Sequence, residues 1–295
     1  MTELIRPADV QNQLAPDLSV SRRGLLRRYP MVVIGAAIFA LVLAMTLAAP
    51  WLASHDPQEI DPTARFRAPS AQHLLGTDAL GRDVWSRTVY GGRISLVVGL
   101  VVGTLASTLG LVIGLISGYS RIADALVMRI MDGLMSIPAI LLAIALMAVT
   151  RASMFTVILA ITVVEIPRIV RLVRSVVLSL REQTYIEAAV IVGTRPLRIL
   201  SKHILPNTLA PLIVQTTYIC AAAMLIESIL SFLGAGTPPE VPSWGNIMAE
   251  GRTFFQIAPW LILSPGMLLG LTVLSINLVG DGLRGILDPR IARRM

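Results

Sequence analysis

The stretch "EAAVIVGTRPLRILSKHILPN", residues 187–207, decides how the rest of this chain is interpreted. It is a short basic segment with internal glycine and proline, and it lies between two long apolar runs. At about 100° per residue, its three basic side chains share one face of a helix over residues 195–205, and large apolar side chains share the opposite face. The stretch therefore predicts two short helices joined by a left-handed turn at Gly193, with the second helix ending near Pro206.

The chain around this stretch is strongly apolar: 55% of its 295 residues are hydrophobic, 15% are charged, and the mean hydropathy is +0.73. Such a chain has too little polar surface to coat a water-soluble globule. A run of roughly 20 apolar residues crosses a bilayer as a helix, because a helix satisfies its own backbone hydrogen bonds. The sequence therefore predicts an all-α membrane protein with six transmembrane helices, over residues 31–52, 94–117, 131–149, 154–177, 209–233 and 257–280.

These runs predict the organisation of the chain. The first run is too long, and its leader too long, for a cleaved secretory signal, so we interpret it as a retained helix. Asp83 is a good N-cap for a short helix beginning at Val84. The predicted segments are an N-terminal tail over residues 1–30, a first transmembrane helix over 31–52, an outer linker over 53–93, a five-helix core over 94–281 containing a loop at 178–207, and a C-terminal tail over 282–295.

The distribution of basic residues predicts the orientation. Eighteen of the 25 Lys and Arg residues lie in the two tails, in the link after the second run, and in the last part of the fourth run together with the link that follows it. Because basic residues are retained on the cytoplasmic side, both termini and the 178–207 loop are predicted to be cytoplasmic. The net charge of +7 then reflects topology and attraction to membrane lipid, and no base-reading module indicates nucleic-acid binding.

Small residues recur every three or four positions along the second apolar run. Small faces let membrane helices approach closely, so the simplest interpretation is tight packing inside the bundle. A subunit interface or a pore lining is the alternative. The glycines that form this stripe are Gly99, Gly103, Gly110, Gly114 and Gly118.

Glu227 is an ionisable residue in the middle of the fifth run. A charged carboxylate there costs about 3 kcal/mol on insertion scales unless it is protonated, paired or facing water. Glu227 is therefore a candidate for the translocation pathway or for a buried ion pair, and the sequence leaves both open. The three histidines include no pair with metal-ligand spacing on one helix, so no metal site is predicted. The chain also lacks the G-x-x-x-x-G-K-[ST] loop that cradles nucleotide phosphates.

The residues of the opening stretch resemble the EAA loop of the permease subunits of bacterial ABC importers. The resemblance rests on Glu187, Ala188, Ala189, Gly193, Leu205 and Pro206. "HILPN" at the end of the stretch is similar to the dipeptide, oligopeptide and nickel branch of that family. So are "LLGTDALGRDVWSRTVYGGRISLVVG", "ESILSFLGAGTPPEVPSWGNIMAEGR" and "GDGLRGILDPR". The resemblance covers nearly the whole chain, and its order and length are those of a C-type subunit.

This resemblance implies the type I importer permease fold, called MetI-like, in the bacterial inner membrane. It implies pairing with a homologous permease, one or two cytoplasmic ATPases that bind ATP and Mg, and an extracytoplasmic binding protein. Trp244 and Pro242 of the outer loop are candidates for contact with that binding protein, and an aromatic anchor at the membrane interface is the alternative for Trp244. No cofactor is then expected in this chain. The loop would couple to the ATPase as a helix inserted into a cleft, through Glu187, Ala188, Ala189, Gly193, Arg195, Arg198, Leu205 and Pro206.

The expected function is a permease for di- or oligopeptides. A permease for nickel or another small solute is the alternative within the same branch. A second hypothesis, from a different functional class, is a stand-alone channel or secondary transporter with Glu227 as an ion site. An intramembrane hydrolase ranks last, because the sequence shows no nucleophile-and-base constellation.

Overall fold

The structure is a computed structural model that describes residues 30–149 and 153–287. The expectations for the N-terminal tail before residue 30, and for the C-terminal tail after residue 287, lie outside the described residues. The regular elements in these two ranges are helical, apart from one isolated bridge between Thr77 and Asp83. The α-helices, in chain order, are α1 (Pro30–Leu47), α2 (Ala49–Leu52), α3 (Val84–Tyr119), α4 (Arg121–Met135), α5 (Ala139–Ala148), α6 (Met154–Arg181), α7 (Thr184–Ile191), α8 (Pro196–Ile199), α9 (Leu205–Phe232), α10 (Trp244–Gly251) and α11 (Trp260–Leu287).

Four described helical runs are long and apolar enough to cross a membrane: α1, α3, α11 and the continuous run Pro196–Phe232 that contains α8 and α9. The pair α4 and α5 adds a fifth if the two helices count as one broken span. The sequence predicts six spans, whereas four or five of the described helical runs qualify as spans by length and composition. The remaining predicted run is α6, which has 28 residues but carries Glu165 and four arginines.

The prediction of one straight helix over residues 131–149 is wrong. The chain there belongs to α4 and α5, which meet at an angle of 90°. Pro138 precedes α5 and causes the break, because proline lacks a backbone N–H and disfavours helical geometry in Ile137. The run is less evenly apolar at its start, and its average hydrophobicity does not distinguish one helix from two.

The linker predicted to end at residue 93 ends ten residues earlier, because α3 begins at Val84. Asp83 caps the helix as predicted, with its side chain accepting from the backbone N–H of Ser86 at 2.8 Å. The short helix and the second span are thus one helix of 36 residues. The helix continues through Gly92, where a Cβ would lie 2.3 Å from Thr46 Cγ2, so glycine permits close packing at this position. At the other end of the chain, α11 extends past the predicted boundary at residue 281 to Leu287.

The helix predicted over residues 195–205 does not stop at Pro206. It passes from α8 through a π-helical turn, Leu200–Ile204, directly into α9. Pro206 is the second residue of α9 and directly follows the π-helical turn, where the i→i−4 bonding pattern is already interrupted.

The glycine stripe of α3 packs against helices of the same chain. A Cβ added at Gly114 would lie 2.6 Å from Cβ of Val173, which is closer than real Cβ atoms come. Each glycine in the stripe therefore permits the close approach of one neighbour, as expected for membrane helices. The contacts are Gly110 with Ile169 and Gly118 with Val177 in α6, and Gly99 with Met224 and Gly103 with Cys220 in α9.

The two ends of the bundle differ in construction. At 1.5 Å per residue, α3 is about 54 Å long. At its start, the Trp244 indole donates to the carbonyl oxygen of Thr88 at 2.9 Å, and residues 53–83 and 233–259 form what we call the outer-loop end. At its finish, Arg181 donates to the carbonyl oxygens of Gly118 and Tyr119, each at 3.0 Å, next to residues 184–207. We call those residues the EAA segment, and it lies at the opposite end from the outer loops.

Candidate functional site

The EAA segment is anchored to the bundle by three isoleucines. Ile186, Ile199 and Ile204 are 3%, 1% and 0% exposed, and all three belong to the main hydrophobic core. The rings of Tyr185 and His203, 6.3 Å apart between centroids, bring α7 close to the π-helical turn. Because apolar side chains at both ends of the segment are buried, the segment is held by the bundle as a firmly attached projection.

A left-handed turn joins the two helices of the segment. The N–H of Gly193 donates to the carbonyl oxygen of Val190 at 2.9 Å, and the N–H of Thr194 donates to that of Ala189 at 3.0 Å. This pair of hydrogen bonds is a Schellman motif. Gly193 has φ +79°, so the left-handed turn is as predicted. A Cβ added at Gly193 would meet nothing within 4 Å. Glycine is therefore favoured here by backbone conformation and not by lack of space.

The turn presents an exposed apolar surface, which we call the apolar tip and define as Val190, Ile191, Val192 and Leu197. Ile191 and Val192 are 84% exposed and Leu197 is 79% exposed. The exposed side chains of Arg195 and Arg198 follow the turn. An exposed apolar cluster of this kind marks a surface that a partner protein or lipid covers.

The other residues predicted in the segment lie around the tip. Glu187 is exposed in the first turn of α7, where the helix dipole favours a carboxylate. Ala188 is exposed and Ala189 is half-buried, so this part of α7 presents a small, smooth face. Leu205 and Pro206 lie further along, where α9 begins.

Glu227 is buried at the outer-loop end, with 0% of its surface exposed. Its carboxylate accepts hydrogen bonds from Ser231 Oγ at 2.9 Å and Ser243 Oγ at 3.0 Å, and from Ser95 Oγ at a longer 3.4 Å. No ion pair includes Glu227 within residues 30–149 and 153–287. Of the two predicted roles, a buried ion pair is therefore not what the described chain forms, and serine hydroxyls take the place of an arginine.

The hydroxyl network around Glu227 extends to the loop between α9 and α10. Ser243 Oγ also caps α10 by accepting from the N–H of Asn246 at 3.2 Å. The side-chain amide nitrogen of Asn246 lies 3.2 Å from Thr237 O, 2.9 Å from Pro238 O and 3.0 Å from Val241 O. One buried amide thus fixes a proline-rich loop against the carboxylate network, an arrangement that the sequence did not reveal.

Trp244 does not occupy the surface position predicted for it. The side chain is 0% exposed, and its indole N–H donates to the carbonyl oxygen of Thr88. Its ring fills the space left by Gly92, which explains why it turns inward. Trp244 is therefore unavailable to a binding protein in this structure, whereas Pro242 is half-buried and remains accessible in part.

A second polar network joins the linker to α10 at the outer-loop end. Arg87 is 1% exposed and donates to Asp78, and its Nη2 reaches Glu250 Oε1 at 2.9 Å. Arg82 bonds the same two carboxylates, with Nε at 2.7 Å from Asp78 Oδ2 and Nη2 at 2.6 Å from Glu250 Oε2. Two guanidinium groups and two carboxylates therefore connect segments that are far apart in the sequence.

Folding also brings two histidines together. The rings of His55 and His73 stack with centroids 4.9 Å apart, and His73 Nδ1 lies 3.0 Å from Asp83 Oδ1. Spacing along the chain does not predict this cluster, because its members come from irregular chain and a helix cap and share no helical periodicity.

Comparison with known families finds two matches. The family described as "Binding-protein-dependent transport system inner membrane component" matches residues 110–293. The one described as "N-terminal TM domain of oligopeptide transport permease C" matches residues 24–69. The first range covers α4 to α11 and the EAA segment, and the second covers α1 and the start of the linker.

Individual proteins are similar over most of their length. A probable peptide ABC transporter permease protein of Sinorhizobium fredii is 54% identical over 91% of this chain and 92% of its own. A putative peptide transport system permease protein of Brucella suis is 44% identical over 99% of each chain. A probable D,D-dipeptide transport system permease protein of Escherichia coli is 42% identical over 90% of each chain.

The fold is similar to that of a solved transporter. A chain of the MetNI methionine ABC transporter in an inward-facing conformation superposes with a TM-score of 0.57 and 25% identity. The match covers 68% of this chain and 96% of that one. It agrees with the MetI-like fold expected from the sequence.

Proposed function

Because this chain belongs to the family of binding-protein-dependent transport system inner membrane components, we propose that it is the permease subunit of an ATP-driven importer of di- or oligopeptides. The peptide substrate is supported by the names of relatives at 42–54% identity that span most of the chain. Nickel or another small solute is the competing substrate class.

One observation carries the proposed coupling role: the apolar tip is exposed on a rigid turn at the end of the bundle. An ATPase supplies the energy, since the sequence contains no phosphate-binding loop, and the tip inserts into an apolar cleft of that ATPase. Burying the tip is favourable by about 25 cal/mol per Å² of apolar surface removed from water. The buried isoleucines behind it transmit the resulting force to the bundle as a unit.

The remaining parts of the proposed assembly follow from this placement. A homologous permease supplies the other half of the pathway, and an extracytoplasmic binding protein docks on the outer-loop end. One or two ATPases bind ATP and Mg beneath the EAA segment, so this chain holds no cofactor of its own. Both termini lie on the cytoplasmic side, an orientation supported by the excess of basic residues there.

The test compares the same substitution at the two ends of the bundle. Ile191→Asp places a charge on the apolar tip, and Ile60→Asp places one on the linker, where Ile60 is 58% exposed. Each variant is expressed with its partner subunits, and copurification of the ATPase and ATP-dependent peptide uptake are measured. We expect Ile191→Asp to lower both about tenfold or more, since a buried unpaired charge at an interface is costly, and Ile60→Asp to leave copurification of the ATPase unchanged.

A second pair of variants tests the turn. Gly193→Val forces a β-branched residue to φ +79°, whereas Gly193→Asn suits the left-handed conformation. Uptake should fall in the valine variant and persist in the asparagine variant, with equal amounts of both in the membrane. Normal uptake by Ile191→Asp, or ion-driven flux in vesicles that contain this chain alone, would contradict the proposed function.

A further inference from the structure

The histidine cluster at the outer-loop end has the composition of a metal site. Atoms of His55, His73 and Asp83 that can each bind a metal all lie within 4.8 Å of one another. The side chains of Asp83 and His73 are 0% and 12% exposed, so these two ligands are largely shielded from water, whereas His55 lies at the surface. His55 and His73 come from the linker, and Asp83 is the residue that caps α3.

The carboxylate of Asp83 is oriented by its other hydrogen bonds. Asp83 Oδ2 accepts from the N–H and the hydroxyl of Ser86 at 2.8 and 2.7 Å. These bonds direct the second oxygen, Oδ1, towards Nδ1 of His73 at 3.0 Å. Two ligand atoms in the tetrahedral shell of a zinc ion lie about 3.3 Å apart, because Zn–N and Zn–O bonds are close to 2.0 Å. The observed pair is therefore spaced as two neighbouring ligands would be.

His55 is held next to this pair by two further contacts. Its backbone N–H donates to Ser86 Oγ at 3.2 Å, and its Nδ1 lies 3.1 Å from Ser54 Oγ. Ser86 thus orients both the carboxylate and the second histidine. Hydrogen bonding to Nδ1 leaves the other ring nitrogen for a ligand, an arrangement usual for histidines that bind metal.

We propose that His55, His73 and Asp83 bind a divalent zinc ion that fastens the linker to the start of α3. Two imidazoles and one carboxylate suit borderline ions such as Zn²⁺ or Ni²⁺, whereas Ca²⁺ and Mg²⁺ require oxygen ligands. Three protein ligands leave a fourth position for water. The role is structural, because the ion holds residues 55 and 73 of the linker next to residue 83 at the outer-loop end.

The experiment measures zinc binding by the full-length chain, purified in detergent without a polyhistidine tag. After metal removal, the protein is dialysed against ZnCl2 and bound zinc is counted by elemental analysis. We expect about one Zn²⁺ per chain, no displacement by Ca²⁺, and a rise in the thermal unfolding midpoint with zinc concentration, because an ion that binds only the folded state stabilises it.

Variants assign the ion to the cluster. His55→Gln and His73→Gln should each weaken zinc binding tenfold or more, and Asp83→Asn should do so while still capping α3, since asparagine is also a good N-cap. His203→Gln is the matched control, because it removes the third histidine, which lies in the EAA segment. The unfolding midpoint of each variant without metal shows whether it is folded.

Three results would overturn the proposal: no zinc on the wild-type chain, binding lost equally in His203→Gln, or binding retained in the folded His55→Gln and His73→Gln variants. The first of these would leave the cluster as a hydrogen-bonded stack.

Discussion

At the scale of single residues, the polar groups of this bundle concentrate where an apolar chain would be expected to avoid them. Glu227 and Arg87 are both almost fully buried, and both lie at the outer-loop end. Each is satisfied by several partners instead of one: hydroxyls surround the carboxylate, and two carboxylates receive the guanidinium. Because a buried polar group costs most when it loses its partners, these two residues should respond sharply to substitution.

Replacing Glu227 tests the hydroxyl network. Glu227→Leu removes the acceptor of Ser231 and Ser243, and leaving buried hydroxyls unsatisfied should lower the free energy of unfolding by about 2 kcal/mol or more. Glu227→Gln keeps one acceptor oxygen and should cost less. Thermal unfolding in detergent measures both, with Thr104→Ala as the control, because the exposed Thr104 hydroxyl bonds only to its own helix. A leucine variant as stable as the wild type would show that the network contributes little.

Replacing Arg87 tests the second network. Arg87→Met leaves Arg82 as the remaining ion-pair partner of Asp78 and Glu250 among the described residues, and breaking a buried pair on one side typically costs about 3–5 kcal/mol. Arg252→Met is the matched control, since Arg252 only covers the ring of Phe232 at 5.5 Å and such a contact is worth about 1 kcal/mol or less. The prediction fails if the two variants unfold at the same temperature.

At the scale of elements, close packing depends on which glycines face a neighbour. α3 approaches α6 and α9 through its glycine stripe, and the large buried side chains of those helices fill the space that the glycines leave. α4 also contains a glycine, Gly133, but a Cβ there would meet nothing within 4 Å. Glycine therefore permits close packing in α3. In α4 it only weakens the helix, because glycine is a poor helix former.

The same substitution should have opposite effects in these two helices. Gly114→Ala places a methyl group 2.6 Å from the buried Val173 and should destabilise the protein by about 1–3 kcal/mol. Gly133→Ala should stabilise it by up to about 1 kcal/mol through helix propensity. Unfolding midpoints in detergent compare them directly, and shifts of the same sign would refute the packing role of the stripe.

At the scale of the whole molecule, the helices expose large apolar side chains around the bundle's circumference, while the charged networks gather at its ends. Leu41 is 72% exposed and Met267 is 67% exposed, and a water-soluble protein would not tolerate such surfaces. Lipid or another permease must cover them. The outer-loop end and the EAA segment then face opposite sides of the membrane.

Cysteine labelling can test that arrangement, because the chain has one cysteine, Cys220, which can be replaced by serine. In that background, Ile60→Cys should react with a membrane-impermeant maleimide in intact spheroplasts. Ile191→Cys should react only after permeabilisation, and less when the ATPase is present. Labelling of Ile191→Cys from outside would reverse the proposed orientation.

The sequence predicted those features that depend on local pattern. The apolar runs, the cap at Asp83 and the turn at Gly193 are each encoded within a few residues. The sequence did not predict contacts between distant parts of the chain. Glu227 contacts Ser95 from another helix, and His55 lies near Asp83 only after the linker folds back. The bend at Pro138 was missed for a different reason, since hydrophobicity alone does not distinguish a straight helix from a broken one.

The uninterrupted helical run from Pro196 to Phe232 has a mechanical consequence. Its 37 residues, which include the π-helical turn and Pro211, extend about 55 Å, with the apolar tip beside one end and Glu227 near the other. In the proposed coupling, a displacement of the tip along the axis is expected to move this run and Glu227 with it. Ser243 then has to follow, or its hydrogen bond must break. We therefore expect partner binding at the EAA segment and rearrangement at the outer-loop end to be coupled through this helical run.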